Sequence, residues 1–160
     1  MAEEKFTLFF KRTVFSQWYP SKFSVDGVEY SCAEQYMMAQ KALLFKDEDT
    51  YKKIMATNKP KEQKLLGRLV RNFDLKIWNE NAKSIVYQGN MAKFSQNQHL
   101  KETLFATDGT TLVEANPYDS IWGVGLAEDH PHCQRRDLWR GTNWLGEILT
   151  RVREDLIDTI

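Results

Sequence analysis

The chain has 160 residues, and its 22 basic side chains balance 22 acidic ones, so the formal net charge at neutral pH is zero. A domain built mainly to hold nucleic acid usually carries a basic surplus, and this chain does not, although a local pocket for one or two phosphates is compatible with the balance. A content of 42% hydrophobic and 28% charged residues is typical of globular proteins and excludes disorder. The length predicts a single domain over residues 1–160.

Two sequence features bear on where the protein is found. Cys32 and Cys133 lie far apart and form no disulfide framework, so we expect two free thiols in a reducing compartment. The N-terminal residues hold no apolar signal segment, and no apolar run approaches the ~20 residues that span a bilayer. The sequence therefore predicts a cytoplasmic protein, or a nuclear one in a eukaryote, with no membrane partner.

The first half of the chain begins with strand signals and continues with helix signals. Asp26-Gly27 is a strong hairpin signal between two short runs of strand-forming residues. Ser31 and Glu34 fit a capping box at the start of a helix. Pro60 suits the first turn of another helix, whose apolar face would consist of leucines 65, 66 and 69 with Val70. The predicted elements are a strand at 5–10, a hairpin of 23–25 and 28–30, and helices at 31–45, 47–56 and from 60 onward.

The second half is mostly helical with one long irregular segment. Asp74 is expected to cap a long helix to about residue 94, in which Gly89 is a weak point. The further predicted elements are a helix from 97 ending before 108, strands at 111–114 and near 121–124, a loop over 115–141, and a helix at 143–156. Together the elements predict a helix-rich α+β fold.

Glu34 and Lys41 are seven residues apart on the first predicted helix, which places them about 20° apart around its axis and two turns apart along it. Met38 lies between them on the same face, and nearby apolar residues indicate that the helix is largely buried. A carboxylate and an amine on one inner wall can act as base and nucleophile, or can anchor phosphate or ribose. The spacing leaves two alternatives open: Glu34 completes the capping box, and Lys41 is a solvated surface residue.

The irregular segment is the second candidate, because long loops in compact domains are often functional. It places Asp119 three residues before Trp122, and glycines follow at 123 and 125. Glycine lets a backbone approach a ligand closely and its amide can face a phosphate, so Gly123 is a candidate contact. Trp122 can stack on a base, but a role as core filler is an equal alternative. No Gly-Lys-Ser/Thr follows, which argues against a P-loop nucleotide hydrolase.

The run His130-Pro131-His132-Cys133 suggests a metal site, but the accompanying pattern does not support it. Neither Cys-x-x-Cys nor His-Glu-x-x-His is present, and His99 lies on a different predicted helix. A polar loop is the better interpretation, and we predict no metal and no cofactor. The absence of a Gly-x-Ser-x-Gly motif likewise argues against a serine hydrolase of the common kind.

Motifs from Phe15 to about Leu156 resemble, in correct order, those of the YbiA/NADAR family. The matching segments are FSQWYPS at 15–21, AEQYMMAQKA at 33–42, KLLGR at 64–68, NFD at 72–74 before a tryptophan at 78, YQGNMAKFSQN at 87–97, LVEA at 112–115, WGVG at 122–125 with an aspartate at 119, WRG at 139–141 and NWLG at 143–146. The chain departs from the pattern at Gln35, where many members have His, and at Gln17, where many have Asn. These departures concern substrate preference rather than the chemistry.

The resemblance implies a helix-rich α+β fold and an N-glycosidase activity. Two substrate groups are associated with the family: early riboflavin-pathway intermediates, in which phosphoribose is attached to an amino-pyrimidinone, and guanine that carries ADP-ribose in DNA or RNA. The first prediction is removal of ADP-ribose from ADP-ribosylated guanine. The alternatives are hydrolysis of the riboflavin intermediates and a non-catalytic ADP-ribose-binding module.

Both substrate bonds join ribose C1′ to an exocyclic amine, which permits two mechanisms. In one, the sugar opens to an imine, Lys41 displaces the base by transimination, and Glu34 transfers protons. In the other, Glu34 or Asp119 activates water against an oxocarbenium-like C1′ while Lys41 stabilises phosphate. The indole of Trp122 is expected to share a solvent-restricted cavity with Glu34 and Lys41. The candidate substrate-binding residues are Trp122, Arg68, Lys64, Asn90, Lys93, Gly123 and Asn143, each with a capping or surface role as the alternative.

Overall fold

The computed structural model describes residues 3–160, which form two compact units. We call Gln17–Asn97 the central unit, and the described residues before it together with Gln98–Ile160 the terminal unit. The single domain predicted over residues 1–160 stays a prediction. Within residues 3–160, no helix combines the length and the hydropathy that a membrane-spanning segment requires.

The central unit contains a hairpin and four helices. The strands and helices are β2 (Phe23–Val25), β3 (Val28–Tyr30), α1 (Ala33–Leu44), α2 (Glu48–Met55), α3 (Pro60–Gly67) and α4 (Leu75–Gln96), whereas β1 (Phe6–Phe9) belongs to the terminal unit. The hairpin is confirmed: β2 and β3 are antiparallel, with Phe23 opposite Tyr30. Asp26 and Gly27 both have positive φ angles, of 52° and 81°, as a two-residue type I′ turn requires.

The start of α1 differs from the predicted capping box. Its N-cap is Cys32, which makes no side-chain cap bond. The Ser31 N–H and hydroxyl instead donate to Gln35 Oε1, at 2.7 and 3.0 Å. Gln35 Nε2 donates to the carbonyls of Ile54 and Thr57, at 3.1 Å each. Gln35 rather than Glu34 therefore ties the start of α1 to the last turn of α2 and to the segment that follows it.

The predicted apolar face of α3 is wrong at two of its four residues, since Val70 is buried and Leu66 is half-buried, but Leu65 and Leu69 are not. The side chains of Leu65 and Leu69 are 49% and 68% exposed, whereas Gln63 and Gly67 are buried. A Cβ at residue 67 would overlap the Met38 side chain of α1, so the glycine is what allows α3 to pack closely there. The period of the leucines was misleading because the buried face of this short helix is made of small and polar residues.

Helix α4 begins as predicted and passes through its glycine without a break. Asp74 is the N-cap, and its Oδ1 accepts a hydrogen bond from the Ile77 N–H at 3.1 Å. Gly89 is buried, and a Cβ at this position would press on the Tyr36 ring. The residue predicted as a weak point is thus a place where α4 packs closely against an aromatic ring of α1.

The terminal unit is built around a parallel pair of strands and a C-terminal helix. Its remaining elements are α5 (Gln98–Phe105), β4 (Thr111–Glu114), two 3₁₀ turns at Pro131–Gln134 and Arg136–Leu138, and α6 (Trp144–Ile157). β1 pairs with β4, with Phe6 opposite Thr111, and α6 packs on β4. The strand predicted near 121–124 is absent from this unit as described. Asn143 and Thr150 occupy the edge of β4 that another strand would need, because their side chains bond its backbone.

Candidate active site

The acid and the amine predicted to act together lie at opposite ends of α1. Glu34 is in the first turn, and only 4% of its surface is exposed. Its backbone N–H donates to the Gln17 carbonyl at 2.9 Å, which fastens the loop before the hairpin to this end of the helix. Lys41 is in the last turn and is half-buried. The Glu34 carboxylate nevertheless acts electrostatically on the Lys41 amine.

Two aromatic rings cover the amine of Lys41. Its Nζ lies 4.6 Å from the ring centroid of Phe73 and 5.6 Å from that of Trp78. Phe73 follows Asn72, whose φ of 61° is left-handed and turns the chain sharply between α3 and α4. Phe45, just after α1, contacts Phe73 with a centroid distance of 5.4 Å. The amine is therefore held in an apolar corner made by three aromatic residues of the central unit.

This environment shifts the pKa of Lys41. Burial lowers the pKa, the Glu34 carboxylate raises it, and the Arg68 cation lowers it, and the net direction is downward. A close carboxylate alone would hold the amine protonated. Burial and Arg68 together outweigh Glu34, so the neutral, nucleophilic form of Lys41 is more accessible than that of a lysine in water.

Arg68 and Lys64 lie on the exposed side of the same region. The contact between Gly67 and Met38 brings the end of α3 against the part of α1 that lies between Glu34 and Lys41. Arg68 follows Gly67 directly, and Lys64 is one helical turn earlier. Both cations are exposed, as ligands for phosphate must be, and their phosphate-binding role stays a prediction.

Asn90 and Lys93 lie inside the central unit rather than at its surface. Asn90 Nδ2 donates to Gln17 Oε1 at 3.0 Å and to the Val86 carbonyl at 2.8 Å. Asn90 Oδ1 is buried and accepts no hydrogen bond from the residues that the structure describes. Lys93 is 0% exposed, and burial lowers its pKa from 10.5 to about 7, against a smaller opposing effect of Cys32. Contacts of these two residues with ribose or phosphate stay predictions.

Two of the predicted site residues of the terminal unit, Asp119 and Gly123, stabilise the irregular loop itself, and a third, Asn143, bonds the backbone of β4. Asp119 Oδ1 accepts hydrogen bonds from the backbone N–H groups of Ile121 and Trp122, both at 2.9 Å. A Cβ at Gly123 would lie 2.9 Å from each of two backbone carbonyl oxygens, so this glycine is required by the loop's own packing. Asn143 is fully buried with a φ of 53°, and its side chain donates to the Leu112 carbonyl and accepts from the Glu114 N–H.

Trp122 is half-buried and packs edge-on against Trp144, at a centroid distance of 5.4 Å and an angle of 85°. This contact fits the core-filler alternative and leaves part of the ring exposed. The predicted roles of Asp119, Trp122, Gly123 and Asn143 in catalysis or binding stay predictions. So does the cavity that Trp122 was expected to share with Glu34 and Lys41.

The cysteines and histidines have ordinary structural partners. Cys32 and Cys133 are both buried, free thiols. His130 Nδ1 accepts from the His132 N–H at 3.1 Å, and Cys133 Sγ donates to the Ala127 carbonyl at 3.0 Å. Among residues 3–160, no three His, Cys, Asp or Glu side chains are grouped as a metal ion would require.

Sequence reasoning missed the aromatic residues around the two amines. Phe73 and Trp78 cover Lys41, and Trp18 lies beside Lys64 with its ring centroid 5.9 Å from Nζ. All three belong to segments that carry the family resemblance. For Trp18 and Phe73 the available signal was their position in short polar motifs, whereas Trp78 lies in the apolar period of α4 with Ala82 and Val86 and gave no such signal.

A family model described as the NADAR domain matches residues 8–157. The chain belongs to the NADAR family. This NADAR domain is 46% identical over 147 residues to an N-glycosidase of Acanthamoeba polyphaga mimivirus, in an alignment that covers 89% of the chain and 86% of the relative. It is 33% identical over 117 residues to the chloroplastic riboflavin biosynthesis protein PYRR of Arabidopsis thaliana, covering 68% of the chain and 17% of that protein.

The NADAR domain is also similar to the NMR structure of the E. coli protein YbiA. The TM-score is 0.79 at 27% sequence identity, and the superposition covers 99% of this chain and 89% of YbiA. The predicted helix-rich α+β fold and the predicted family are thereby confirmed.

Proposed function

We propose that this NADAR domain removes ADP-ribose from ADP-ribosylated guanine by hydrolysing the bond between ribose C1′ and the exocyclic amine of the base. The relatives named N-glycosidase support hydrolysis of an N-glycosyl bond as its general activity. The observation that carries the proposal is the pairing, on one helix, of the buried carboxylate of Glu34 with the aromatic-covered amine of Lys41.

The proposed mechanism uses the amine of Lys41 as a nucleophile. The lone pair of the exocyclic nitrogen forms a double bond to C1′ while the C1′–O4′ bond breaks and O4′ takes a proton. Neutral Lys41 adds to C1′, a proton moves from its nitrogen to the nitrogen of the base, and the base leaves as its free amine. Water then adds to the Lys41 imine and releases the sugar as an aldehyde, which closes to its ring form, and Lys41 is regenerated. Glu34 transfers the protons between these nitrogens and water.

The downward shift of the Lys41 pKa favours this route over direct attack by water. An imine route needs a neutral amine near pH 7. Burial and the Arg68 cation both lower the pKa of Lys41, which increases the neutral fraction of this amine. Glu34 does not complete the predicted capping box, because Gln35 rather than Glu34 accepts from the Ser31 N–H.

Reductive trapping tests the route. Borohydride added during turnover is expected to reduce the imine and leave the ADP-ribosyl group covalently attached to Lys41 through C1′, located by mass spectrometry of the digested protein. Lys41→Arg keeps the charge but forms no such imine and should give neither adduct nor turnover. Rapid turnover with no adduct on Lys41 would support direct water attack, and no release of ADP-ribose at all by the wild-type protein would contradict the proposed activity.

A second candidate substrate is the phosphoribosylamino-pyrimidinone class of riboflavin intermediates, which has the same kind of bond. The similarity to a protein named for riboflavin biosynthesis supports it, although the alignment covers only 17% of that protein. Turnover of both substrates by one preparation decides between them. A protein that binds ADP-ribose but turns over neither would be a binding module instead.

A further inference from the structure

Trp18 is an exposed aromatic residue on a segment that is fixed on both sides. Its surface is 42% exposed. Before it, Gln17 accepts hydrogen bonds from the Glu34 N–H at 2.9 Å and from Asn90 Nδ2 at 3.0 Å. After it, the Ser21 N–H donates to the Ser31 carbonyl at 2.9 Å. The chain on both sides of Trp18 is therefore fixed by bonds to α1, to α4 and to the end of the hairpin.

We call Glu34 and Lys41 the reactive pair. Within the central unit, two cations lie in sequence from Trp18 toward this pair. The Lys64 amine lies 5.9 Å from the centroid of the Trp18 ring. Arg68 is the C-cap of α3, four residues after Lys64 and about 6 Å further along the helix axis, and its charge acts on the Lys41 amine. The order of the groups is therefore the exposed indole of Trp18, the two exposed cations, and then the covered amine of Lys41.

We propose that Trp18 is the stacking platform for the adenine of an ADP-ribosyl substrate, with Lys64 and Arg68 beside the diphosphate and Lys41 at the ribose that is cleaved. This inference rests on the proposed function and specifies its substrate class. A substrate that ends at one phosphate, as a phosphoribosyl-pyrimidinone does, has no second base and leaves the indole unoccupied. A nucleoside diphosphate-ribose has a second base to stack on the indole and a second phosphate to bind beside the two cations.

The chemistry of each group fits the assignment. An indole face stacks on any purine, and such stacking depends little on the identity of the base. Single exposed apolar side chains are common on protein surfaces and need no explanation by themselves. Trp18 differs from Leu75, which is 61% exposed, in having a cation over its ring and a backbone tied to the helix that carries the reactive acid.

The test compares two substrates with the same reacting bond. One is ADP-ribosyl-guanosine, and the other is the same guanosine carrying only 5-phosphoribose. Trp18→Ala is expected to lower kcat/KM for the first about tenfold to a hundredfold, the usual worth of one stacked base, and to change the second less than twofold. Trp18→Phe, which keeps a flat ring, should recover most of the loss, and Leu75→Ala, the matched loss of an exposed apolar side chain, should change neither substrate.

Calorimetric binding gives a readout that is independent of turnover. Trp18→Ala should weaken the binding of ADP-ribose by a similar factor and leave the binding of ribose 5-phosphate unchanged. Equal losses on both ligands, or no loss on ADP-ribose, would overturn the proposal. It would also be overturned if the loss appeared only with a guanine-modified oligonucleotide, since the indole would then contact a neighbouring nucleotide. A wild-type protein that binds ADP-ribose through Trp18 but cleaves neither substrate would contradict the proposed function alone.

Discussion

The buried amine of Lys93 predicts an unusual dependence of stability on pH. Burial lowers its pKa in the folded protein to about 7, whereas the unfolded chain has the ordinary value of 10.5. Between these two values the unfolded chain binds more protons at this position than the folded protein does. The free energy of unfolding therefore rises with pH across this window, and below pH 7 the effect is constant because both states are protonated.

The size of the effect follows from the two pKa values. Each pH unit inside the window is worth about 1.4 kcal/mol, and the slope is half as large near pH 7 where the folded amine is half-protonated. From pH 7 to pH 9 the contribution of Lys93 to the free energy of unfolding should rise by about 2 kcal/mol. Lys93→Met fills the same space without a titrating group, so it should be more stable than the wild type at pH 7 and should lack this rise.

Urea denaturation at pH 7, 8 and 9 measures the prediction as the difference between wild type and Lys93→Met. The difference removes the contribution of the buried thiols of Cys32 and Cys133, whose raised pKa values act in the opposite direction above pH 9. Lys83→Met, on an exposed position of the same helix, is the matched control and should follow the wild type. Parallel pH profiles of wild type and Lys93→Met would show that the Lys93 amine titrates as a solvated lysine does, and would refute the reasoning.

Three further predictions concern the hydrogen bonds and charges around the site. Gln35→Ala should lower the free energy of unfolding by about 2–4 kcal/mol, because it removes the acceptor of the part-buried Ser31 N–H and the side-chain donor to the buried Ile54 carbonyl, whereas the Thr57 carbonyl keeps its bond from Gln63. Gln35→His should lower it less in urea denaturation, because a ring keeps one donor and one acceptor. Asn143→Ala should also lower the free energy of unfolding by about 2–4 kcal/mol, because it removes two hydrogen bonds to β4 and places alanine in a left-handed backbone conformation. A stable variant that lost only turnover would instead support the predicted substrate contact. Arg68→Ala should raise the Lys41 pKa by removing a cation, so the acid limb of the kcat/KM profile should move to higher pH, whereas Arg68→Lys should leave the limb in place. If the acid limb of the Arg68→Ala profile stays at the same pH as in the wild type, that limb does not reflect the titration of Lys41.

The elements that sequence reasoning located well have local causes. The Asp26-Gly27 turn, the cap at Asp74 and the first-turn proline at Pro60 each act within a few residues, and all three lie where expected. The errors have non-local causes. Gly89 is accommodated because an aromatic ring from α1 packs on it, and the strand expected near 121–124 is excluded because side chains from α6 and its N-cap bond the edge of β4.

In the candidate site, too, the features with local causes were predicted from the sequence and those with non-local causes were not. The spacing of Glu34 and Lys41 follows from helix geometry, and both lie on α1. Their burial required tertiary structure, since the aromatic cover of Lys41 comes from the turn after α3 and from α4. Asp119 was predicted as a catalytic candidate from its place in a glycine-containing loop, and that same place explains why its carboxylate bonds the loop backbone.

The helix that carries the reactive pair does not by itself make Lys41 a nucleophile. A helix dipole favours a carboxylate in the first turn and an ammonium in the last turn, so α1 alone stabilises the charged forms of both Glu34 and Lys41. The carboxylate of Glu34 adds to this preference for the protonated amine. The opposing effects come from outside α1, through the apolar cover of Phe73 and Trp78 and the charge of Arg68. The chemistry of the pair is therefore set by how α3 and α4 pack on α1, and substitutions at this packing should alter reactivity even where Glu34 and Lys41 are unchanged.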